Sequence, residues 1–357
     1  MQTINHAVPM TPERLQELIN RFKTTRVAVV GDFFLDKYLD VDPGIEEVSL
    51  ETDKPAHQVV QVRCSPGAAG TVVNNLAALG TGTLHAVGVI GNDGEGYDLR
   101  AGLERLGCQT SHLHGAAERY TPTYLKPRRI GDPSLAGEHE RYDTKNRTVT
   151  PADLEAKIVK SVDALLGLID ALIVMDQVDE EDCGVLTRTV RDTLCERARE
   201  HPTVLFWADS RRRIDQYRHV VIKPNQFEVM NIESPDPDEE VDLDDLKCAI
   251  ERLRQITGAP ICATRGRLGC VTSDPQWTVV PGVSIEGPTD STGAGDSTTA
   301  GAVLALCAGA SLPEAALLGN LVASMTVQQL ATTGVARPEE LPNRLAIWAA
   351  QQDEHGR

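Results

Sequence analysis

The segment Asp290-Ser-Thr-Gly-Ala-Gly-Asp296 runs directly into a stretch of small residues from Ser297 to Ala308. Gly293 and Gly295 leave backbone N–H groups free to turn outward, and a helix starting here adds partial positive charge, so the turn suits an anion in transfer. A carboxylate at the same helix start binds phosphate poorly but is well placed to accept a proton from an attacking hydroxyl. The expected chemistry is phosphoryl transfer, with Asp296 as general base and the backbone of Gly293, Ala294 and Gly295 stabilising the transferred group. Taken alone, the segment is better described as a glycine turn whose aspartate caps its own helix.

No GxxxxGK[ST] loop occurs, and Gly91-Asn-Asp-Gly94-Glu-Gly96 departs from the dinucleotide pattern GxGxxG, so a nucleotide site must be built another way and a nicotinamide-dependent oxidoreductase is disfavoured. The 35 Lys and Arg stand against 52 Asp and Glu, a net charge of −17 that repels nucleic-acid backbones and anionic membranes. The eight cysteines show neither CxxC pairs nor histidines at zinc-ligand spacing, and read as buried thiols. With no apolar run long enough to span a bilayer and no leader-like N-terminus, a cytoplasmic protein is expected.

Several motifs agree in order with one family. Val27-Ala-Val-Val-Gly31-Asp32-Phe-Phe-Leu-Asp36 is followed by Pro66-Gly67-Ala-Ala-Gly70 and Thr71-Val-Val-Asn74-Asn75. Next come Gly91-Asn-Asp93-Gly-Glu-Gly96, Lys223-Pro224-Asn225-Gln-Phe-Glu228 and Thr264-Arg-Gly266-Arg-Leu-Gly269, with the Asp290 to Asp296 segment last. From about Arg26 to Leu341 the chain resembles the ribokinase-like, or PfkB, family of sugar kinases. Within it, Gly31-Asp32-Phe-Phe-Leu-Asp36-Lys-Tyr, Val48-Ser-Leu-Glu51, Thr121-Pro-Thr-Tyr-Leu-Lys126 and Arg141-Tyr-Asp143 are most similar to the heptose-7-phosphate kinases.

The resemblance implies an ATP-dependent kinase acting on a sugar or sugar phosphate, with heptose 7-phosphate a candidate. Asp32, Asp36, Gly67, Thr71, Asn75, Arg141 and Asp176 are expected at the substrate, and Lys223, Asn225, Thr264, Gly266 and Gly269 at the nucleotide. Asn225 and Glu228, three apart on a presumed helix, would hold Mg²⁺ through water. An N-terminal cap is the competing reading of Asn225. Asp290, Thr292 and Gly334 resemble a monovalent-cation loop, for which K⁺ is the expected ion. Arg128, Arg129, Arg141 and Arg211-Arg212-Arg213 are candidates for gripping a substrate phosphate.

Family members usually carry glycine and asparagine where Ala68 and Thr71 stand, which leaves open a nucleoside or other non-sugar kinase of the same fold, or a non-catalytic sugar-binding regulator. Heptose kinases often continue into a nucleotidyltransferase domain, for which the sequence to Arg357 leaves no room.

To position these residues the chain must fold as a doubly wound, mostly parallel α/β sheet. Continuous apolar runs at Arg26 to Gly31, Leu84 to Ile90, Ala171 to Met175, Val204 to Trp207, Val220 to Ile222 and Ile261 to Ala263 read as buried strands. Helical patterns lie between most of them: Ala68 to Leu79, Tyr97 to Leu106, Pro151 to Leu168, Asp182 to Arg199 and Leu243 to Ile256. Thr11-Pro12-Glu13 caps an opening helix to Phe22, and Gly293 to Ala308, Pro313 to Leu330 and Pro338 to Ala350 form a C-terminal helical layer. Residues 38–62 and 121–142 alternate with period two and are expected to form a small β-lid on a single kinase domain spanning 1–357. Exposed lid edges would pair two copies into a homodimer.

Overall fold

A computed structural model describes residues 8, 10–132, 137–236, 239–330 and 332–355. Residues 133–136 of the expected second lid segment, and the ends of the expected 1–357 domain, lie outside the described residues.

In chain order the elements begin with α1 (Pro12–Phe22), β1 (Arg26–Gly31), β2 (Phe33–Val41), β3 (Glu47–Val48), β4 (Pro55–Ala56), β5 (Val59–Ala68) and α2 (Ala69–Ala78). They continue with β6 (Thr83–Gly91), α3 (Gly94–Arg105), β7 (Cys108–Ala116), β8 (Thr123–Arg129), β9 (Tyr142–Thr144), α4 (Ala152–Leu165), β10 (Ala171–Asp176) and α5 (Arg188–Glu200). Then follow β11 (Leu205–Ser210), β12 (Val221–Ile222), α6 (Gln226–Met230), α7 (Leu243–Thr257), β13 (Cys262–Thr264), β14 (Cys270–Thr272) and β15 (Thr278–Val280). Three helices close the chain: α8 (Ala294–Cys307), α9 (Leu312–Thr326) and α10 (Leu341–His355).

The central sheet has six parallel strands in the order β12-β11-β10-β1-β6-β7. From β1 the chain builds outward through β6 and β7, then returns to the other side of β1 with β10. The switch point therefore lies between β1 and β10, where Gly31 pairs with Met175. Open α/β sheets bind ligands in the crevice outside the strand ends at such a point. Gly31 has φ +155°, and a Cβ there would stand 2.2 Å from the Met175 carbonyl oxygen, so glycine lets the two strand ends meet.

A second, four-stranded sheet in the order β5-β2-β8-β9 stands off the main sheet and carries the segments read as lid. It reaches further than the sequence suggests: β2 begins at Phe33 and β5 runs on to Ala68. The run Ile261 to Ala263 proves to belong to a three-stranded antiparallel sheet, β13-β14-β15, joined to the main-sheet edge by single bridges Ile222–Ile261 and Asn225–Thr264. Strand β7 carries no apolar run because it is an edge strand whose residues alternate between buried and exposed. Helix α5 starts at Arg188 rather than Asp182, since Thr187 takes the cap and accepts from the Val190 N–H.

Helices α8 and α9 are buried almost all round, as their continuous small and apolar sequences require. They cross where Gly301 meets Gly319. A Cβ on Gly319 would lie 2.8 Å from the Thr298 carbonyl oxygen, and one on Gly301 2.9 Å from Val322 Cγ2. Gly319→Val should therefore force the helices apart and lower stability by about 2 kcal/mol, the scale of overpacking a core. A lower urea midpoint at unchanged denaturant slope would register the effect, and an unchanged midpoint would refute it.

Candidate active site

Gly293 opens α8 in the left-handed conformation, φ +77°, and no side chain caps the helix. The Ala294 N–H donates to the Ser291 carbonyl at 3.1 Å, so the backbone anion site expected over Gly293 to Gly295 loses that donor. The N–H groups of Gly295 and Asp296 keep no backbone partner and face the cleft start of the helix.

Two groups of residues meet at this helix start. On one side, the Thr71 methyl lies 3.2 Å from where a Cβ on Gly293 would stand, and the Asp296 carboxylate is 4.0 Å from the same point. Asp36 belongs here too: a Cβ on Gly67 would lie 2.5 Å from its Oδ2, and its charge acts on Asp296. On the other side, Lys223 Nζ stands 3.3 Å from the Cβ position of Gly295 and pairs with Asp209 Oδ2 at 2.8 Å. Burial pulls the Lys223 ammonium down, but Asp209 outweighs it and the net shift is upward. Burial, and next the charge of Asp209, push Asp296 up to about 7 against Lys223 and Arg211. Glu228 is likewise pushed up to about 7, by burial and then Asp209. Asp209 was missed in the sequence because no motif marks it; its one signal is its place at the end of a buried strand, β11.

Asn225 is not on a helix face beside Glu228. It is the cap of α6: its Oδ1 accepts from the N–H groups of Phe227 and Glu228, both at 2.9 Å, and Glu228 Oε2 accepts from the Asn225 N–H at 2.7 Å. The capping reading of Asn225 is thus the one the geometry fulfils, leaving Glu228 Oε1 as the outward oxygen. Thr264 sits beside Asn225, its N–H donating to the Pro224 carbonyl, and Gly266 and Gly269 form the turn from β13 to β14 with φ +55° and +89°. A Cβ on Gly269 would fall 2.2 Å from the Val280 carbonyl oxygen.

A third group gathers at the end of α9. The Asp290 N–H donates to the Val327 carbonyl, Thr292 N–H to Asp290 Oδ1, and Gly334 packs against the Thr326 carbonyl. Asn75 Nδ2 ties this loop to the substrate helix through the carbonyls of Gly334 and Thr71.

Two expected substrate residues are occupied elsewhere. Asp32 accepts from the N–H groups of Gln177, Val178 and Val185, so it fastens the end of β1 to the loop after β10 instead of facing a sugar. Asp176 accepts from Ser210 Oγ and pairs with Arg213, while burial and Asp32 push it up to about 6. Both carboxylates are thus engaged by protein partners at their strand ends. Arg213 also donates to the Val178 and Asp179 carbonyls, Arg212 lies among Asp179 and Glu233 at the surface, and Arg129 is exposed. Arg128 is buried against the Asp132 carbonyl. Arg141 grips Asp143 through two hydrogen bonds and stacks on Tyr124. Of these arginines, Arg211 is the one whose charge reaches Asp296 and Glu228. No group of three or more His, Cys, Asp or Glu side chains able to hold a metal occurs among the described residues, and no helix among them is long and apolar enough to cross a membrane.

A helix start with no side-chain cap, with the Asp296 carboxylate and the buried Lys223 ammonium beside it, is an arrangement suited to an ATP-dependent phosphotransferase with an alcohol acceptor. Residues 24–339 match the family described as pfkB family carbohydrate kinase, and the chain belongs to that family. It is 29% identical over 355 residues to the bifunctional protein HldE of Citrifermentans bemidjiense, covering 96% of this chain and 68% of that one. The bifunctional protein HldE of Shewanella baltica is 29% identical over 321 residues, 89% of this chain and 63% of the relative, so the chain spans about two thirds of the length of these relatives. Among solved structures, Arabidopsis thaliana ribokinase complexed with ribose and ATP is similar with a TM-score of 0.64 at 15% identity, covering 90% of this chain and 98% of that one. Escherichia coli phosphofructokinase-2 in complex with potassium has a TM-score of 0.69 at 16% identity, covering 90% and 99%.

The shift of Asp296 from 3.8 to about 7 fixes a sign. The folded state holds its proton longer than the unfolded chain, so the contribution of this group to stability is full below pH about 4 and is lost as pH rises through about 7. Asp296→Asn should therefore be more stable than the parent at pH 8, with the gain shrinking as pH falls below about 7 and gone by about pH 4. Thermal unfolding of both proteins across that range tests it; a gain independent of pH would contradict it.

Proposed function

We propose that the chain transfers the γ-phosphoryl group of ATP to a sugar or sugar-phosphate hydroxyl, with heptose 7-phosphate the first acceptor to try. The observation that carries this reading is the placement of Asp296 between an acceptor side, made by Asp36, Gly67 and Thr71, and a phosphate side, made by Lys223 and the free N–H groups of α8. Asp36 would orient the acceptor through carboxylate hydrogen bonds, and Asp296 would take the proton of the attacking hydroxyl. The N–H groups of Gly295 and Asp296, with Lys223, would meet the charge spreading over the transferred oxygens. Thr264, Gly266 and Gly269 form the wall we assign to the nucleotide.

Asp209, Glu228 and Asp296 crowd three carboxylates around Lys223 and Arg211, a surplus of negative charge that fits a divalent cation brought in with the nucleotide. Glu228 is the residue we assign to Mg²⁺ through water, and the metal would supply charge neutralisation at the phosphates. The carbonyl-lined loop of Asp290, Thr292 and Gly334 is our candidate for K⁺. We read the whole chain as one kinase domain of the cytoplasm, with the β5-β2-β8-β9 sheet as the lid that keeps water from the transfer.

Asp296→Asn should slow transfer by at least ~10²-fold, the scale for losing a general base, while leaving nucleotide affinity largely intact. In the parent, kcat/KM should climb to a plateau with an apparent pKa of about 7 as Asp296 loses its proton. Release of ADP with a panel of sugars and sugar phosphates measures both; near-parent turnover by the variant would remove Asp296 from the chemistry.

The outer lid face supports a homodimer. Strand β5 is the free edge of its sheet, and Val60 and Val62 are about half exposed, 47% and 52%, with Val62 beside Leu39. Val62→Lys should shift the protein from dimer to monomer in sedimentation velocity at micromolar concentration. A parent that sediments as a monomer would overturn the assignment.

A further inference from the structure

Three arginines follow β11 in a row, and the fold gives each a different setting. Arg213 is engaged inside the protein by Asp176 and by the carbonyls of Val178 and Asp179, and Arg212 stands between Asp179 and Glu233. Arg211 has no carboxylate partner. Its backbone N–H donates to the Asp176 carbonyl at 3.2 Å, which carries the β10–β11 ladder past the paired ends Asp176 and Ser210. Its Nε donates to Gln177 Oε1 at 2.9 Å. Gln177 is itself pinned: it is buried, and its own N–H donates to Asp32 Oδ2 at 2.9 Å. Nη1 and Nη2 of Arg211 form no ion pair and no hydrogen bond among the described residues. The guanidinium is fixed at one nitrogen and open at two.

Its place is the crevice outside the strand ends, next to the switch point. There its charge acts on Asp296 and Glu228, opposing the burial that raises both, so it looks onto the same carboxylates as Lys223. It closes on neither, because the Gln177 tether holds it off. Lys223 differs in this respect, since its ammonium is buried and already paired with Asp209 at 2.8 Å. Of the two cations, Arg211 is the one with solvent-facing donors still to fill.

We propose that Arg211 is a further catalytic residue of phosphoryl transfer: its two open amino groups take oxygens of the γ-phosphoryl group as that group moves, and Gln177 is the positioning residue that holds the fork in place. A guanidinium presents parallel N–H donors that match phosphoryl oxygens, and it stays charged at every working pH. Transfer spreads negative charge over the three equatorial oxygens, which is where such donors act. In the step itself the acceptor oxygen bonds to the γ-phosphorus, the bond to the β–γ bridging oxygen breaks, and the hydroxyl proton passes to Asp296. Arg211 exchanges no proton. This inference rests on the phosphotransfer reading and adds to it the side chain that meets the moving charge.

Because Arg211 is exposed and pairs with no carboxylate, Arg211→Ala should keep the parent's urea midpoint. Its kcat for ADP release, with the best acceptor of the panel, should fall ~10²-fold, the scale of losing one preorganised donor to a developing charge, while KM for ATP and for the acceptor stays within a few-fold. Arg211→Lys should retain part of the rate. Guanidinium chloride below denaturing concentration should restore part of it to Arg211→Ala and none to Asp296→Asn. Arg211 favours the ionised form of Asp296, so the rise of kcat/KM near pH 7 should move up by about half a pH unit in Arg211→Ala. Gln177→Leu should shift it in the same direction with a smaller loss of kcat, and Gln177→Glu, which keeps the acceptor for Nε, should recover the rate. Parent-like kcat in Arg211→Ala, or a loss confined to the KM of either substrate, overturns the proposal and leaves the chemistry of Asp296 standing. A parent that releases no ADP with any acceptor instead sinks the phosphotransfer reading, and this inference with it.

Discussion

The site depends on a helix start that is left uncapped. In most helices a side chain or a tight turn satisfies the first N–H groups, and losing such a cap costs about 1 kcal/mol. Helix α8 has no side-chain cap, and those of its first N–H groups that look into the cleft stay open. It can do so because its stability comes from elsewhere: nearly every residue from Ser297 to Ala305 is buried, and the Gly301–Gly319 crossing sets it hard against α9. Packing holds the helix so that its N-terminus need not be closed by the protein itself, and an open helix start of this kind suits an anion.

The same economy governs charge. Asp209, Glu228 and Asp296 stand around one buried ammonium, and burial, with the charge of Asp209 next, raises the proton affinity of the latter two. Buried carboxylates in such numbers destabilise an empty site. The divalent cation proposed to arrive with the nucleotide would offset them locally.

The layout of the sheet was legible because parallel strands buried on both faces must be continuously apolar, as Val27 to Val30 and Ala171 to Met175 are. Strand β7 and the start of β2 were not, since an edge strand and a strand crossing between sheets follow no single pattern. Among site residues, Gly293 and Gly269 could be read because each occupies a backbone conformation or close contact that excludes other residues. Asp32 and Asp209 mark the limit. Both are strand-end aspartates, yet Asp32 is consumed by three N–H groups and Asp209 turns to Lys223. That difference is decided by which loop passes overhead, and no local spacing encodes it.

Ala68 and Thr71, the two departures in the substrate loop, acquire a common physical meaning. Ala68 stands at φ +52°, a conformation that costs a non-glycine residue on the order of 1–3 kcal/mol, so the backbone shape is kept although the glycine is not. Keeping that shape sets the first turn of α2 so that the Thr71 methyl fills the space beside Gly293. A branched side chain there packs on the turn that presents Asp296, and a Cβ on Gly293, itself at φ +77°, would have to push that methyl back by a few tenths of an ångström. The Ala68–Thr71 loop and the Gly293 turn are therefore complementary surfaces, one shaped by a strained alanine and the other by a left-handed glycine. A larger residue at position 71 would be felt first by the helix start, and hence by the placement of Asp296.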